Sequence, residues 1–350
     1  MDSSIAPDAP SEPAEPTAAP GFSNNAYANE EYLSLPDGRT LAYSHTGPPD
    51  SDILFIWFHG LFSVGDASNP APPTQKRNAH NISPTLPGWG NTSPPLPGKT
   101  FAETVVSDTH ALLRHLRPTY DPATLRIYIA GGSFGTVPTQ IVFGAPYDVF
   151  PYGRQIAGML LMAPFSPFRE HTEYRKGLSW RDWVSVGPLT QLVPRRGVQR
   201  LMKMLLKGKT SEVQSAEAFL KEEFFDTMNE QERERYAAWR ARRGAKEGDF
   251  ERWMAEGMVR SVSKTWEGFL GVADAIHSDW GFRVRELDEE HASKPVVLVL
   301  GKEDRSLLGM GRWLSESYKN VTVRELEGGH LAGAWSTDDV IEDLFVAGGD

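Results

Sequence analysis

One serine of this chain stands in a sequence context typical of an enzymatic nucleophile. Ser133 is the centre of the run GGSFG at residues 131–135, which matches the pattern G-x-S-x-G. The apolar segment LRIYIA before it predicts a buried strand, and the segment after it is compatible with a helix whose first turn contains Pro138 or ends just before it. A serine between a strand and a helix occupies a sharp turn that small neighbours permit. The spacing therefore predicts an exposed hydroxyl group able to attack a carbonyl carbon.

A serine hydroxyl is a poor nucleophile unless a histidine accepts its proton and a carboxylate orients that histidine. Among the nine histidines, His330 is the candidate base, because it follows the strand-like run VTVREL near the C-terminus. Asp304 is the candidate carboxylate, because it follows the strand-like run PVVLVL; its neighbour Glu303 fits that position less well. Both runs are expected to end at the same edge of the sheet as the strand before Ser133.

Acyl transfer also requires two N–H donors directed at the developing negative charge. Residues 59–61 (His-Gly-Leu) follow directly after the buried run ILFIWF, at a second strand end. We expect the backbone amides of Leu61 and Phe134 to form this oxyanion hole. His59 and Gly60 are expected to support the loop, with the His59 ring held by hydrogen bonds.

The elements that position these residues alternate between apolar runs and helical patterns, which predicts an α/β fold with a mostly parallel sheet. A hairpin turning at Asp37-Gly38, a weaker strand over 77–82 and a helix over 101–116 are predicted before the GGSFG run. After a strand at 155–164 this alternation stops for about 120 residues, and it resumes near residue 295. One domain with an insertion fits this order better than two consecutive domains.

We therefore divide the chain into three parts. Residues 1–27, rich in proline and alanine, predict a disordered tail. Residues 28–164 and 286–350 form the predicted α/β core, and residues 165–285 a helical cap.

The predicted cap differs in composition from the rest of the chain. It contains six of the ten tryptophans, and its 22 basic and 18 acidic residues give it a charge of +4, against −14 elsewhere. Asn229 and Glu232 predict a capping-box start to a charged helix that continues to Arg243. An apolar stripe on a basic helix (Val198, Leu201, Met202, Leu205) predicts packing on the core with solvated lysines, and contact with lipid or an amphiphilic substrate is the alternative.

Taken in order, these motifs resemble those of the α/β-hydrolase superfamily, in the type with a His-Gly oxyanion loop and a helical cap. The matching marks are His59-Gly60, the loop PGWG at 87–90, the run at 131–135, Asp304 and Gly329-His330, which together span about residues 32–346. The resemblance implies an eight-stranded, mostly parallel sheet with helices on both faces and an inserted cap. Thr85 stands where the common loop pattern has an aspartate. The cap is similar in position to those of epoxide hydrolases and prolyl aminopeptidases.

The resemblance implies a serine hydrolase that cleaves a carboxylic ester, thioester or lactone of a small to medium apolar substrate bound under the cap. Epoxide hydrolases and haloalkane dehalogenases use an aspartate as nucleophile, so Ser133 argues against both. The alternatives are an aminopeptidase similar to the proline-specific ones, an acyltransferase or lyase using the same site, and a ligand-binding member without catalysis. An aminopeptidase would use acidic cap residues such as Glu170, Glu173 and Asp182. Tyr174 and Tyr236 are expected to pack rather than polarise an oxygen.

The composition of the chain excludes several kinds of site and partner. The chain has no cysteine, which excludes disulfides and thiolate metal sites, and its net charge of −10 argues against nucleic-acid binding. No cofactor or metal motif is present, so we expect neither group. No signal peptide or transmembrane run is recognisable, which favours a cytoplasmic protein, either a monomer or a homodimer.

Overall fold

The computed structural model describes Phe22 and residues 27–350. Its strands are β1 (Glu30–Ser34), β2 (Thr40–Thr46), β3 (Ile53–Phe58), β4 (His80–Pro84), β5 (Arg126–Gly132), β6 (Ile156–Met162), β7 (Val296–Gly301) and β8 (Val321–Leu326). They form one sheet in the order β1-β2-β4-β3-β5-β6-β7-β8, in which β1 and β2 are antiparallel to their neighbours and all other pairs are parallel. The predicted eight-stranded, mostly parallel sheet is confirmed.

The described helices divide into those of the core and those of the insertion. In the core are α1 (Pro72–Lys76), α2 (Phe101–Leu116), α3 (Thr136–Phe143), α12 (Glu289–Ser293), α13 (Arg305–Ser317) and α14 (Thr337–Gly348). In the insertion are α4 (Trp180–Ser185), α5 (Leu189–Leu192), α6 (Gly197–Leu206), α7 (Val213–Leu220), α8 (Glu230–Arg243), α9 (Asp249–Val262), α10 (Glu267–Leu270) and α11 (Val272–His277).

The central strands bury both of their faces because side chains alternate across a strand. One set, which includes Leu54, Ile129 and Leu298, packs in the large core with residues of α2, α3 and α13. The other set, which includes Tyr128 and Val297, packs against α14. Helices thus cover both faces, and the carboxyl ends of β3, β5 and β7 meet at one edge.

Local signals explain the first elements. The predicted hairpin is β1 and β2, whose connecting turn contains Gly38 at φ +84°, a conformation that favours glycine. The strand predicted over 77–82 lies instead at β4, because Arg77 caps α1 and Asn78 adopts a positive φ of 51°. Helix α2 has the predicted bounds, and a complete capping box between Thr100 and Glu103 fixes its start.

The insertion between β6 and β7 consists of helices of 4 to 14 residues joined by turns. An aromatic cluster on α8 and α9 packs against Trp335, which lies shortly after β8. Tyr236 and Trp335, for example, have ring centroids 4.3 Å apart. These contacts fasten the insertion to the part of the core that follows the last strand.

Most of the predicted tail, residues 1–21 and 23–26, lies outside the described residues. Its two described residues both contact the insertion. The ring of Phe22 is 5.9 Å from that of Trp239, and buried Tyr27 donates a hydrogen bond of 3.0 Å to the carbonyl oxygen of Trp253. No helix within the described part of the chain is long and apolar enough to cross a membrane.

Candidate active site

Ser133 occupies a tight turn between β5 and α3. Its φ is +53°, in the left-handed region that a non-glycine residue rarely adopts. A Cβ atom on Gly131 would lie 2.4 Å from the carbonyl oxygen of Gly135, and one on Gly135 would lie 2.1 Å from that of Phe58. The two glycines of the pattern are therefore required because the turn packs on itself and on the end of β3. Pro138 lies in the first turn of α3, where its missing N–H removes no helical hydrogen bond.

Ser133, His330 and Asp304 come together from three different strand ends. His330 Nε2 is 3.0 Å from Ser133 Oγ, and His330 Nδ1 is 2.7 Å from Asp304 Oδ2. With Asp304 accepting from Nδ1–H, the free lone pair of Nε2 faces the serine hydroxyl. This is the geometry in which a histidine takes the proton of a serine while a carboxylate holds the ring.

The surroundings of His330 favour its protonated form. Burial lowers its pKa, but the hydrogen bond and charge of Asp304, together with the charges of Asp182 and Glu232, outweigh burial and raise the pKa above its ordinary value. A higher pKa makes the neutral ring a stronger proton acceptor. The same carboxylates stabilise the imidazolium form of the ring.

Asp304 also begins a helix. Its Oδ1 atom accepts a hydrogen bond of 3.3 Å from the backbone N–H of Leu307 at the start of α13, while Oδ2 holds His330. The capping bond fixes the carboxylate plane through the first turn of the helix. Glu303 is exposed and accepts a hydrogen bond of 2.6 Å from Asn229 Nδ2, so it does not orient His330.

The His-Gly-Leu loop, residues 59–61, lies beside Ser133. A Cβ atom on Gly60 would lie 3.6 Å from Ser133 Cβ and 3.2 Å from the carbonyl oxygen of Gly132. His59 is buried, and burial lowers its pKa to about 4, so the ring is neutral. Its Nδ1 donates to the carbonyl oxygen of Gly60 at 2.8 Å, and its Nε2 accepts from the backbone N–H of Leu86 at 2.9 Å. The ring thus ties the loop after β3 to the loop after β4.

One carboxylate near His330, that of Glu232, was not expected at the site from the sequence. Glu232 is buried at the start of α8, and its Oε2 accepts a hydrogen bond of 3.0 Å from the backbone N–H of Gly329. The predicted capping box is therefore only half formed: Asn229 caps the backbone N–H of Glu232, but the Glu232 side chain reaches to the residue before His330. The sequence alone does not show that Glu232, at the start of α8, is buried.

Asp182 was considered as a substrate-binding acid of an aminopeptidase, but its carboxylate is held by two serine hydroxyls and does not line the cavity. Its Oδ2 accepts hydrogen bonds of 2.6 Å from the hydroxyls of Ser179 and Ser306. Ser306 lies on α13, two residues after Asp304. The contact therefore attaches α4 of the insertion to the helix that Asp304 caps. The charge of Asp182 contributes to the raised pKa of His330.

A cavity of about 580 Å³ opens above Ser133 and His330. The insertion and the sheet edge both line it, and most lining side chains are apolar. Its walls include Trp57, Leu61, Phe62, Met162, Met202, Leu206, Phe219, Phe224, Trp239, Trp253, Met254 and Met258. Two of the six tryptophans of the insertion are thus cavity residues.

Its charged lining residues have partners within the protein. Asp66 accepts from Trp253 Nε1 at 2.7 Å, Asp338 pairs with Arg243 at 3.4 Å, and Glu223 pairs with Arg181 at 3.2 Å. The cavity therefore presents mainly apolar surface to a bound molecule.

Several residues considered from the sequence lie away from the cavity. Glu170 accepts from the backbone N–H of Val284, and Glu173 pairs with Lys176 on the surface. Tyr174 stacks on Phe168 with ring centroids 3.6 Å apart, and Tyr236 packs in the aromatic cluster. Within the described residues, no group of three or more histidine, aspartate and glutamate side chains is arranged to hold a metal ion.

Comparison with known proteins agrees with this fold. The structure of a hydrolase from Pseudomonas aeruginosa PA01 has a TM-score of 0.56 at 14% identity, covering 93% of this chain and 100% of that one. A thermophilic esterase from Thermogutta terrifontis, solved with malate bound, has a TM-score of 0.53 at 15% identity, covering 92% and 99%. The enol-lactonase from Burkholderia xenovorans LB400 has a TM-score of 0.52 at 15% identity, covering 90% and 100%. At these identities the similarity shows the fold alone.

At the level of sequence, no match was found among curated proteins. The profile of the alpha/beta hydrolase family, however, matches residues 53–343, from the first residue of β3 into α14. This match covers well over half of the chain. It includes β5, β7 and β8, the strands that precede Ser133, Asp304 and His330. The protein therefore belongs to the alpha/beta hydrolase family.

Proposed function

We propose that this protein is a serine hydrolase that cleaves carboxylic esters through an acyl-enzyme. The observation that carries the proposal is the pair of hydrogen bonds from Ser133 Oγ to His330 Nε2, at 3.0 Å, and from His330 Nδ1 to Asp304 Oδ2, at 2.7 Å. The pair lies at the wall of an apolar cavity, where a substrate carbonyl can reach the serine.

The reaction proceeds in two steps. His330 Nε2 takes the hydroxyl proton of Ser133 while Oγ bonds to the ester carbonyl carbon, and the amides of Leu61 and Phe134 stabilise the resulting oxyanion. The imidazolium then donates its proton to the leaving alkoxide, and the C–O bond of the ester breaks. In the second step His330 deprotonates a water molecule, which attacks the acyl-enzyme and releases the carboxylic acid and free Ser133.

The cavity supports an apolar substrate. Of its acidic lining residues, Glu223 and Asp338 are ion-paired with Arg181 and Arg243, and Asp66 already accepts hydrogen bonds from Trp253 Nε1 and Ser68 Oγ, so each has partners that an α-ammonium group would have to replace. This disfavours the aminopeptidase alternative. Apolar side chains instead favour an ester with an extended hydrocarbon group. The structural neighbours named as an esterase and an enol-lactonase are consistent with cleavage at an ester or lactone bond.

A series of p-nitrophenyl esters of increasing acyl length tests this proposal. We expect kcat/KM to rise with chain length until the cavity is filled, and activity on every ester to be lost in Ser133→Ala. A rate that is equal in Ser133→Ala and the wild type would refute the mechanism.

Adjacent residues of α6 supply a matched control for the role of the cavity. Leu206 lines the cavity, whereas Leu205 is 69% exposed and does not. Leu206→Trp is expected to lower kcat/KM for long esters more than for the acetate, because the larger ring occupies acyl space. Leu205→Trp is expected to leave the ratio of the two unchanged, and equal effects of both variants would show that this cavity does not bind the acyl chain.

A further inference from the structure

Exposed apolar side chains are concentrated on one part of the insertion. Of the eleven large apolar side chains exposed within the described residues, six lie between residues 180 and 205: Trp180, Trp183, Leu192, Leu201, Met204 and Leu205. They belong to α4, α5 and α6, which pack on one another, and Gln199 Nε2 of α6 donates to the carbonyl oxygen of Ser185 at 3.1 Å. We call these six residues the apolar surface. Scattered exposed apolar residues are ordinary, but a concentration of this kind marks an interaction site.

Basic side chains border the apolar surface. Residues 189–210 contain six basic residues (Arg195, Arg196, Arg200, Lys203, Lys207, Lys209) and no acidic residue. In the part of the chain that the structure describes, four of them (Arg195, Arg200, Lys207, Lys209) are exposed and form no ion pair with an acidic side chain. Arg196 pairs with Glu267 and Asp274, so the positive charge of this segment is compensated only in part, in a chain whose net charge is −10.

Helix α6 separates these two properties on its circumference. Leu201, Met204 and Leu205, at i, i+3 and i+4, are exposed by 59%, 75% and 69%, and Arg200 and Lys207 lie beside this stripe. The opposite side carries Met202 and Leu206, which line the cavity above Ser133. A helix of this type, apolar on one exposed side with basic residues flanking it, has the composition of helices that lie in the plane of a lipid interface.

We propose that the apolar surface docks on a membrane that contains anionic phospholipid. Leu201, Met204 and Leu205 enter the boundary between headgroups and acyl chains, and the flanking basic residues contact the anionic headgroups. A second copy of the chain fits less well, because a two-fold interface through α6 brings the basic residues of both copies together. This inference does not depend on the proposed ester hydrolysis.

Flotation with phospholipid vesicles tests the proposal directly. The chain of 350 residues is mixed with phosphatidylcholine vesicles that contain or lack phosphatidylserine, at low and at high salt. We expect binding to the vesicles with phosphatidylserine and little binding to those without it, and we expect salt to weaken it. The variant Leu201→Gln/Met204→Gln/Leu205→Gln is expected to lose at least about tenfold in vesicle affinity.

Two further variants separate charge and general exposure from the apolar contact. Arg200→Gln/Lys207→Gln is expected to lose about 30-fold in vesicle affinity. Each basic residue near an anionic surface contributes about five- to sixfold in affinity, and the variant removes two of them. Val346→Gln, which removes a side chain of α14 that is 63% exposed, is expected to bind like the wild type. Circular dichroism and urea unfolding of each variant show whether the fold is retained, and the charge variant provides the test if the triple variant does not fold.

Other results of these experiments would overturn membrane docking. Absence of flotation with folded wild-type protein, or equal flotation of the wild type and both surface variants, overturns the proposal. Concentration-dependent dimerisation in analytical ultracentrifugation that disappears in the triple variant, without vesicle binding, assigns the surface to a second copy instead. Because flotation requires no catalysis, its result is distinguishable from failure of the proposed ester hydrolysis.

Discussion

Replacing Gly135 by alanine tests how closely the turn that contains Ser133 packs against the end of β3. Gly135 has φ −57°, which any residue adopts, so the effect of the substitution is purely steric. The added Cβ would lie 2.1 Å from the carbonyl oxygen of Phe58 and 2.8 Å from that of His59. Ordinary contact begins near 3.4 Å, so the turn and β3 must separate by more than about 1 Å.

This displacement sets the expected magnitudes. Forcing extra volume into a packed interior costs about 1–3 kcal/mol of unfolding free energy. A shift of about 1 Å between Ser133 and the amide of Leu61 is expected to lower kcat/KM by about 100-fold, because it misaligns the nucleophile and the oxyanion donors. Gly60→Ala, whose nearest contact would be 3.2 Å, is expected to have a smaller effect on both.

Gly309 supplies the matched control. It lies within α13, is exposed, and a Cβ there would meet no heavy atom within 4 Å. Gly309→Ala is expected to raise the free energy of unfolding by about 0.5–1 kcal/mol and to leave activity unchanged. Urea unfolding and initial rates with p-nitrophenyl butyrate measure both quantities, and Gly135→Ala behaving like Gly309→Ala would refute the close packing on which this reasoning depends.

Three further predictions follow from the contacts of His330. Asp304→Asn is expected to lower kcat by about 10⁴-fold, whereas Glu303→Gln, one residue away, is expected to leave kcat within a factor of two or so in the same ester assay. Since only neutral His330 accepts a proton and its pKa is raised, activity is expected to fall as pH drops through a value above the ordinary 6.5, which a pH profile of kcat/KM measures. Glu232→Gln keeps an acceptor for Gly329 but removes a charge that raises this pKa, so the acidic limb of the profile is expected to move to lower pH; an unmoved limb would show that Glu232 acts only through structure.

The sequence predicts most of the core because its signals there are local. Apolar residues at helical spacing over 101–116 predict the bounds of α2, and the runs before Ser133 and Asp304 are apolar enough to identify buried strands. The strand predicted over 77–82 is found at β4, three residues further along at its start. The short helix α1, which begins with two prolines, has no periodic pattern that would mark where the helix ends and the strand begins.

The candidate site is predictable to the same extent. Ser133, Asp304 and His330 each follow a strand, and the carboxyl ends of parallel strands meet at one edge, so spacing along the chain suffices to bring them together. Glu232 could not be placed, because it lies on a helix of the insertion and follows no strand, so the shared edge of the sheet says nothing about its contact with Gly329. The cavity depends on many such distant contacts between the insertion and the sheet, and no periodic pattern encodes them.

Intact-mass spectrometry after reaction with a fluorophosphonate tests the central claim most directly. This reagent bonds covalently to a serine that a neighbouring base activates. We expect a single phosphonyl adduct on the wild type, no adduct on Ser133→Ala and a strongly reduced rate of labelling on His330→Ala. An unlabelled wild-type protein that is shown to be folded, or an adduct that persists on Ser133→Ala, would contradict it.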